Sequence, residues 1–142
     1  MNTKQINEIQ DEIVEDFSFL DDWMDRYQMI IDMGDTLPDM PESDKVPEHI
    51  IEGCQSRVWI TARTNEDGSL HFEAASDAVI VKGIIAMLLK VVNDQKPADI
   101  SSAELYFIDK VGLKEHLSPT RSNGLLAMVQ RIKAYAHAAQ TK

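Results

Sequence analysis

Residues 56–93 read SRVWITARTNEDGSLHFEAASDAVIVKGIIAMLLKVVN, and this stretch decides the fold. Val58, Ile60 and Ala62 alternate with Arg57, Trp59, Thr61 and Arg63, the period-two pattern of a strand that buries one face. Asn65-Glu66-Asp67-Gly68 supplies a turn, and Leu70, Phe72 and Ala74 resume the alternation. Residues 56–76 therefore predict a β-hairpin. A lone hairpin is marginal in water, so helices must cover one face. The cover follows at once. Ser76-Asp77 reads as an N-cap pair for a helix over 78–93. That helix is apolar on nearly every side, from Val79 through Ile84, Ile85 and Leu88 to Val92, which marks the central core helix.

Outward from this unit the pattern is helical. Ile6, Ile9, Ile13 and Phe17 recur at helical spacing, with Glu8, Asp11, Glu12 and Glu15 largely opposite, an amphipathic helix over 4–18. A second helix over 21–33 turns Trp23, Tyr27, Ile30 and Ile31 inward, and Asp21 and Asp22 suit its N-terminus. Gly34 reads as its stop, with Pro38 and Pro41 preventing continuation. Residues 35–48 read as an irregular loop, and His49–Ile51 as a short strand added to the hairpin. On the other side Pro97 reads as the start of a loop, followed by a weaker helix over 101–110 with Leu105, Phe107 and Ile108. Ser118-Pro119 is a cap followed by proline at the first helical position. It opens a last helix over 119–139 with Leu125, Val129, Ile132 and Ala136 inward. The expectation is one α+β domain over 1–142, a small antiparallel sheet packed by about five helices.

Composition narrows the function. The 142 residues are 44% apolar and 27% charged, the balance of a globular chain. The net charge of -10 disfavours nucleic acid, which needs a basic face. That charge is uneven. Residues 1–52 carry 15 acidic and 3 basic residues, whereas 53–142 carry 9 acidic and 11 basic. The acidic third reads as a solvated face or as a docking surface for a basic partner. The polar N-terminus lacks an apolar leader. The most apolar run, Val79–Leu89, is interrupted by Lys82 and Gly83 and is shorter than the roughly 20 residues that span a bilayer. A cytoplasmic protein without a membrane partner is expected, in a compartment where a free thiol persists.

Cys54 is the one cysteine, so neither an internal disulfide nor a multi-thiolate zinc site can form. Lone cysteines are usually inert core residues. Here Glu52, Gly53, Gln55 and Ser56 flank the thiol, and this polar, glycine-adjacent setting fits a loop at the hairpin's entry. Three chemistries compete. Metal binding has only His49 nearby and no ligand cluster. A cysteine hydrolase or redox enzyme needs a base such as His71 or His116, whereas all four histidines, His137 included, read as surface residues. A carrier thiol needs only a nucleophile, a mobile loop and docking surfaces. Arg121 stands in the first turn of a helix, where a cation opposes the dipole. It is either solvated or available to a thiolate or a partner.

Gly53-Cys54-Gln55-Ser56-Arg57-Val58-Trp59 resembles the signature of the SufE family of sulfur acceptors. Further blocks match in order: Ser76-Asp77-Ala78 with Ile80-Val81-Lys82-Gly83, Leu113 to Leu117, and Leu117-Ser118-Pro119-Thr120-Arg121-Ser122-Asn123-Gly124-Leu125. Trp23 to Tyr27 and Gly34 to Pro38 also fit, so the resemblance covers nearly the whole chain. The CsdE branch shares these motifs. The resemblance implies a fold like that of IscU-type scaffolds. It also implies a carrier that accepts sulfur on Cys54 from a SufS- or CsdA-like cysteine desulfurase, stimulates that enzyme, and passes sulfur to a SufB-containing iron–sulfur scaffold complex. No resident cofactor is implied, since pyridoxal phosphate belongs to the desulfurase. Gly53, Gln55, Ser56 and Arg57 would shape the Cys54 loop, Asp77 would hold it, and Arg121, Ser122 and Asn123 would lie near the partner interface. A weak homodimer is compatible with this reading.

Overall fold

A computed structural model describes residues 5–37, 40–45, 50, 57–113 and 119–140, apart from the side chains of residues 44 and 119–123. Two strands, β1 (Val58–Thr64) and β2 (Leu70–Ser76), form the antiparallel hairpin. The register pairs Val58 with Ser76, Ile60 with Ala74 and Ala62 with Phe72. Val58, Ile60, Leu70, Phe72 and Ala74 are buried on one face, as the alternation requires. The turn closes through Asn65, whose backbone amide donates to the Ser69 carbonyl at 2.8 Å. Gly68 supplies the left-handed residue, with φ of 89°.

The helix α3 (Val79–Val92) covers this face. Ile80, Ile84, Ile85, Leu88 and Val91 are among its ten buried apolar side chains. The helices α1 (Ile6–Ser18) and α2 (Trp23–Gly34) pack on α3. Asp22 caps α2, its carboxylate accepting from the Met24 amide at 3.0 Å. Gly83 explains how close α2 comes. A Cβ there would stand 2.1 Å from the Ile30 carbonyl oxygen, and one on Gly34 would stand 3.0 Å from the Gly83 nitrogen. These two glycines are the contact between the helices, so Gly83 is no flaw in the apolar run. Gly34 lies inside α2 and does not end it in the left-handed region; the cap is Asp35, at φ -68°.

Three expectations are corrected. Pro97 opens a helix, α4 (Pro97–Ser102), where its fixed φ suits the first position. The helix expected over 101–110 divides into α4 and α5 (Phe107–Lys110). Between them the backbone finds partners in other elements. Gln10 of α1 donates to the Glu104 carbonyl at 3.0 Å and accepts from the Phe107 amide at 3.2 Å. Lys133 donates to the Ala103 carbonyl at 2.6 Å. With the last helix, α6 (Pro119–Gln140), the described residues hold six α-helices around the small sheet, in keeping with the about five expected. The third correction concerns Asp77. Ala78 occupies the N-cap of α3 without a side-chain cap bond, and Asp77 turns elsewhere.

Each edge of the two-stranded sheet carries an isolated bridge. Ile50, the one described residue of the short strand expected over 49–51, forms an isolated antiparallel bridge with Trp59 on the β1 side. Gln95 bridges Leu70 on the β2 side, and the Asn93 side chain accepts from the Phe72 amide at 2.7 Å. Among the described residues no helix is long and apolar enough to cross a membrane.

Candidate functional site

Gly53, Cys54, Gln55 and Ser56 lie outside the described residues, as do His49 and His116. Arg121, Ser122 and Asn123 fall at the start of α6, their side chains likewise outside. The geometry available is the frame that holds the two ends of segment 51–56.

At the downstream end Arg57 and Asp77 are joined twice. The Arg57 amide donates to the Asp77 carboxylate at 3.0 Å, and the Asp77 amide donates to the Arg57 carbonyl at 3.3 Å. This clamp closes the mouth of the hairpin three residues after Cys54. An amide held by a carboxylate is a charge-assisted bond, stronger than a neutral pair. Both side chains are exposed. At the upstream end the Ile50 carbonyl accepts from the Arg131 guanidinium at 2.8 Å, beside its bridge to Trp59. Arg131 was not among the residues singled out in the sequence. It sits mid-helix on α6, and its partner is 81 residues away, so no local pattern points to it.

The helix α6 runs along β1. Tyr135 donates to the Ile60 carbonyl at 3.0 Å, and one turn earlier Arg131 meets Ile50. Arg121 is ten residues further toward the N-terminus, about 15 Å along the axis at 1.5 Å per residue. Lys45 adds a cation above the Trp59 ring, 6.0 Å from its centroid, and pairs with Glu42 at 3.0 Å. Trp59 thus stands between a bridge to Ile50 and the Lys45 ammonium, whose charge is paired with Glu42.

Of the four histidines only His71 and His137 are among the described residues. His71 pairs with Arg63 in the register, six residues from Asp77 and about 20 Å along an extended strand. Its Nδ1 lies 3.0 Å from the Asp94 carboxylate, which also accepts from Asn65 at 2.9 Å. Asp94 adopts φ of 62°, so this carboxylate is held at the hairpin's turn, at the end opposite Arg57. His137 is exposed near the end of α6. No group of three or more His, Cys, Asp and Glu gathers as a metal site among the described residues. A cavity of about 430 Å³ between α1 and the α4–α5 connection, with Asn7, Ser102 and Tyr106 in its wall, contains none of the candidate residues.

The family model for SufE, described as an Fe-S metabolism associated domain, matches residues 11–136. The chain belongs to the SufE family. An uncharacterised SufE-like protein of Rhizobium meliloti (strain 1021) is 42% identical over 130 residues, covering 89% of this chain and 93% of that protein. Another from Rhizobium etli is also 42% identical over 130 residues, covering 89% and 88%. The solution structure of a hypothetical protein from Thermus thermophilus has the same fold, with a TM-score of 0.77 and 22% identity over 94% of this chain and 97% of that one. Membership in the SufE family connects the chain with sulfur and iron–sulfur metabolism.

Proposed function

We propose that this SufE-family protein is a sulfur carrier acting through Cys54. The Cys54 thiolate attacks the outer sulfur of a persulfide held by a cysteine desulfurase. The donor's S–S bond breaks, a new S–S bond forms on Cys54, and the donor cysteine leaves as a thiolate. An acceptor thiolate on a SufB-containing scaffold then attacks the outer sulfur of the Cys54 persulfide and releases Cys54 as a thiolate. Sulfur passes at one oxidation level, so neither step needs an oxidant. Removing product sulfur stimulates the donor, whose pyridoxal phosphate does the carbon–sulfur chemistry. The carrier itself needs no cofactor.

The reading rests on one observation. The chain's only cysteine stands in the SufE signature, between Ile50 and Arg57, each held by a side chain from another element. A carrier with no second thiol cannot resolve its own persulfide into an internal disulfide. Arg57 and Arg121 are the cations assigned to the thiolate and the partner, since a nearby positive charge favours the thiolate form. Gly53, Gln55, Ser56, Ser122 and Asn123 are assigned to the partner interface. Asp77 positions the segment through Arg57.

The test is intact mass after incubation with a cysteine desulfurase and free cysteine. A gain of one sulfur atom, lost in Cys54→Ser, is expected. No gain with any of several desulfurases overturns the carrier reading, and turnover of a thioester or peptide without a partner favours a hydrolase.

A further inference from the structure

The connection between α1 and α2 combines two features that rarely coincide on a solvated surface. Phe19 and Met24 are 77% and 68% exposed, two of the four large apolar side chains so exposed among the described residues. Burying such a side chain stabilises a protein by about 1.5–3 kcal/mol, so a pair left in water within six residues forms an unused contact surface. Exposed carboxylates surround them: Glu15 and Asp16 before, Asp21 and Asp25 after. Among the described residues none of these four forms an ion pair. The one cation within the turn, Arg26, is spent internally, donating to the carbonyls of Leu20 at 2.8 Å and Val111 at 3.2 Å.

Those same bonds make the turn rigid. The Leu20 amide donates to the Phe17 carbonyl at 3.0 Å, the Asp22 carboxylate caps α2, and Phe17 anchors the end of α1 in the core at 1% exposure. The result is a preformed knob with an apolar tip and an anionic collar, and a preformed surface loses little entropy on binding. Its charge repels nucleic acid and anionic lipid. Its complement is a concave or helical protein surface with apolar residues at the centre and Lys or Arg at the rim.

We infer that the α1–α2 elbow is a docking surface for a basic, amphipathic segment of a partner protein, with Phe19 and Met24 as its apolar anchors. The inference does not depend on Cys54 and goes beyond sulfur transfer.

The probe is a synthetic amphipathic helix of leucine and lysine, titrated into the isotopically labelled full-length protein and followed by amide chemical shifts. Shifts confined to residues 15–26 are expected, with affinity falling as salt rises. The Phe19→Ser/Met24→Ser double variant weakens binding about tenfold or more, and Asp21→Lys/Asp25→Lys does the same. All four positions are exposed, so the serine variant is expected to melt like the native protein, and the lysine variant, which puts cations at the N-terminus of α2, slightly lower while still folded. Cys54→Ser binds like the native protein, which separates this result from the fate of the carrier reading. Shifts spread equally over distant carboxylates such as Asp32 and Asp99, or full affinity in the double serine variant, overturn the inference. So does a concentration-dependent dimer abolished by Phe19→Ser, which would make a second copy the occupant.

Discussion

Gly83→Ala tests the packing on which the hairpin and its flanking helices depend. The added methyl would meet the Ile30 carbonyl oxygen at 2.1 Å, its carbon at 2.7 Å and the Ile30 Cγ2 at 2.8 Å. Two of these three atoms are backbone and cannot rotate away. Ordinary contact begins near 3.4 Å, so α2 must withdraw by about 1.3 Å. A radial gap of about 1 Å already forfeits up to half of the dispersion attraction at each contact, and Ile30 is fully buried at the crossing. Overpacking of this kind costs about 3 kcal/mol, the upper part of its usual range. Alanine offsets about 1 kcal/mol through helix propensity. The net loss is about 2 kcal/mol, or a melting temperature lower by about 8 °C in a domain of this size. Urea unfolding followed by helical circular dichroism measures it as a lower midpoint at unchanged slope. Gly34→Ala, whose methyl meets the Gly83 backbone at 3.0 and 3.2 Å, is expected to cost less. Propensity alone predicts that Gly83→Ala is more stable than the native protein, and that result would refute the close crossing.

Four further outcomes are expected. Asp77→Ala removes the acceptor for the Arg57 amide and costs about 1 kcal/mol; at matched folded fraction it slows sulfur loading of Cys54, whereas unchanged loading denies Asp77 its positioning role. Arg131→Met frees the Ile50 carbonyl from a charged donor and costs about 1.5–3 kcal/mol, with Arg131→Lys restoring part of both stability and loading. The free Cys54 thiol is expected to react with a bulky alkylating agent more slowly than in the desulfurase complex, since a sheltered persulfide survives cellular thiols; equal rates count against shelter. The Tyr106 hydroxyl donates to Asp11 at 2.6 Å, and this bond, with a smaller contribution from burial, raises its pKa from 10.0 to about 12. The folded state keeps the proton longer than the unfolded chain, so this contribution is complete below about pH 10 and is lost as pH rises toward about 12. Phenolate absorbance should show one tyrosine ionising late, and Asp11→Asn should bring it back toward the others.

Gln10 and Asp77 show where reading the sequence stops. Gln10 is fully buried in a helix whose apolar stripe is plain, yet nothing in α1 announces that its amide completes the backbone between α4 and α5. The single helix expected over 101–110 follows from local pattern, and bonds from 94 and 97 residues away override it. Asp77 has the residue type and place of an N-cap, and the hairpin partner wins its carboxylate. Arg131 has no local signal at all.

Periodicity along the chain is enough for the hairpin, the core helix and the two long outer helices, because each depends on which face of a local element is apolar. A short motif around Cys54 is enough for the family, because the thiol and its neighbours are contiguous. The close crossing at Gly34 and Gly83, the break at 103–106 and the two anchors at Ile50 and Arg57 belong to the tertiary structure. Each joins atoms far apart in sequence, and its energy exists only once the helices and the hairpin are packed together.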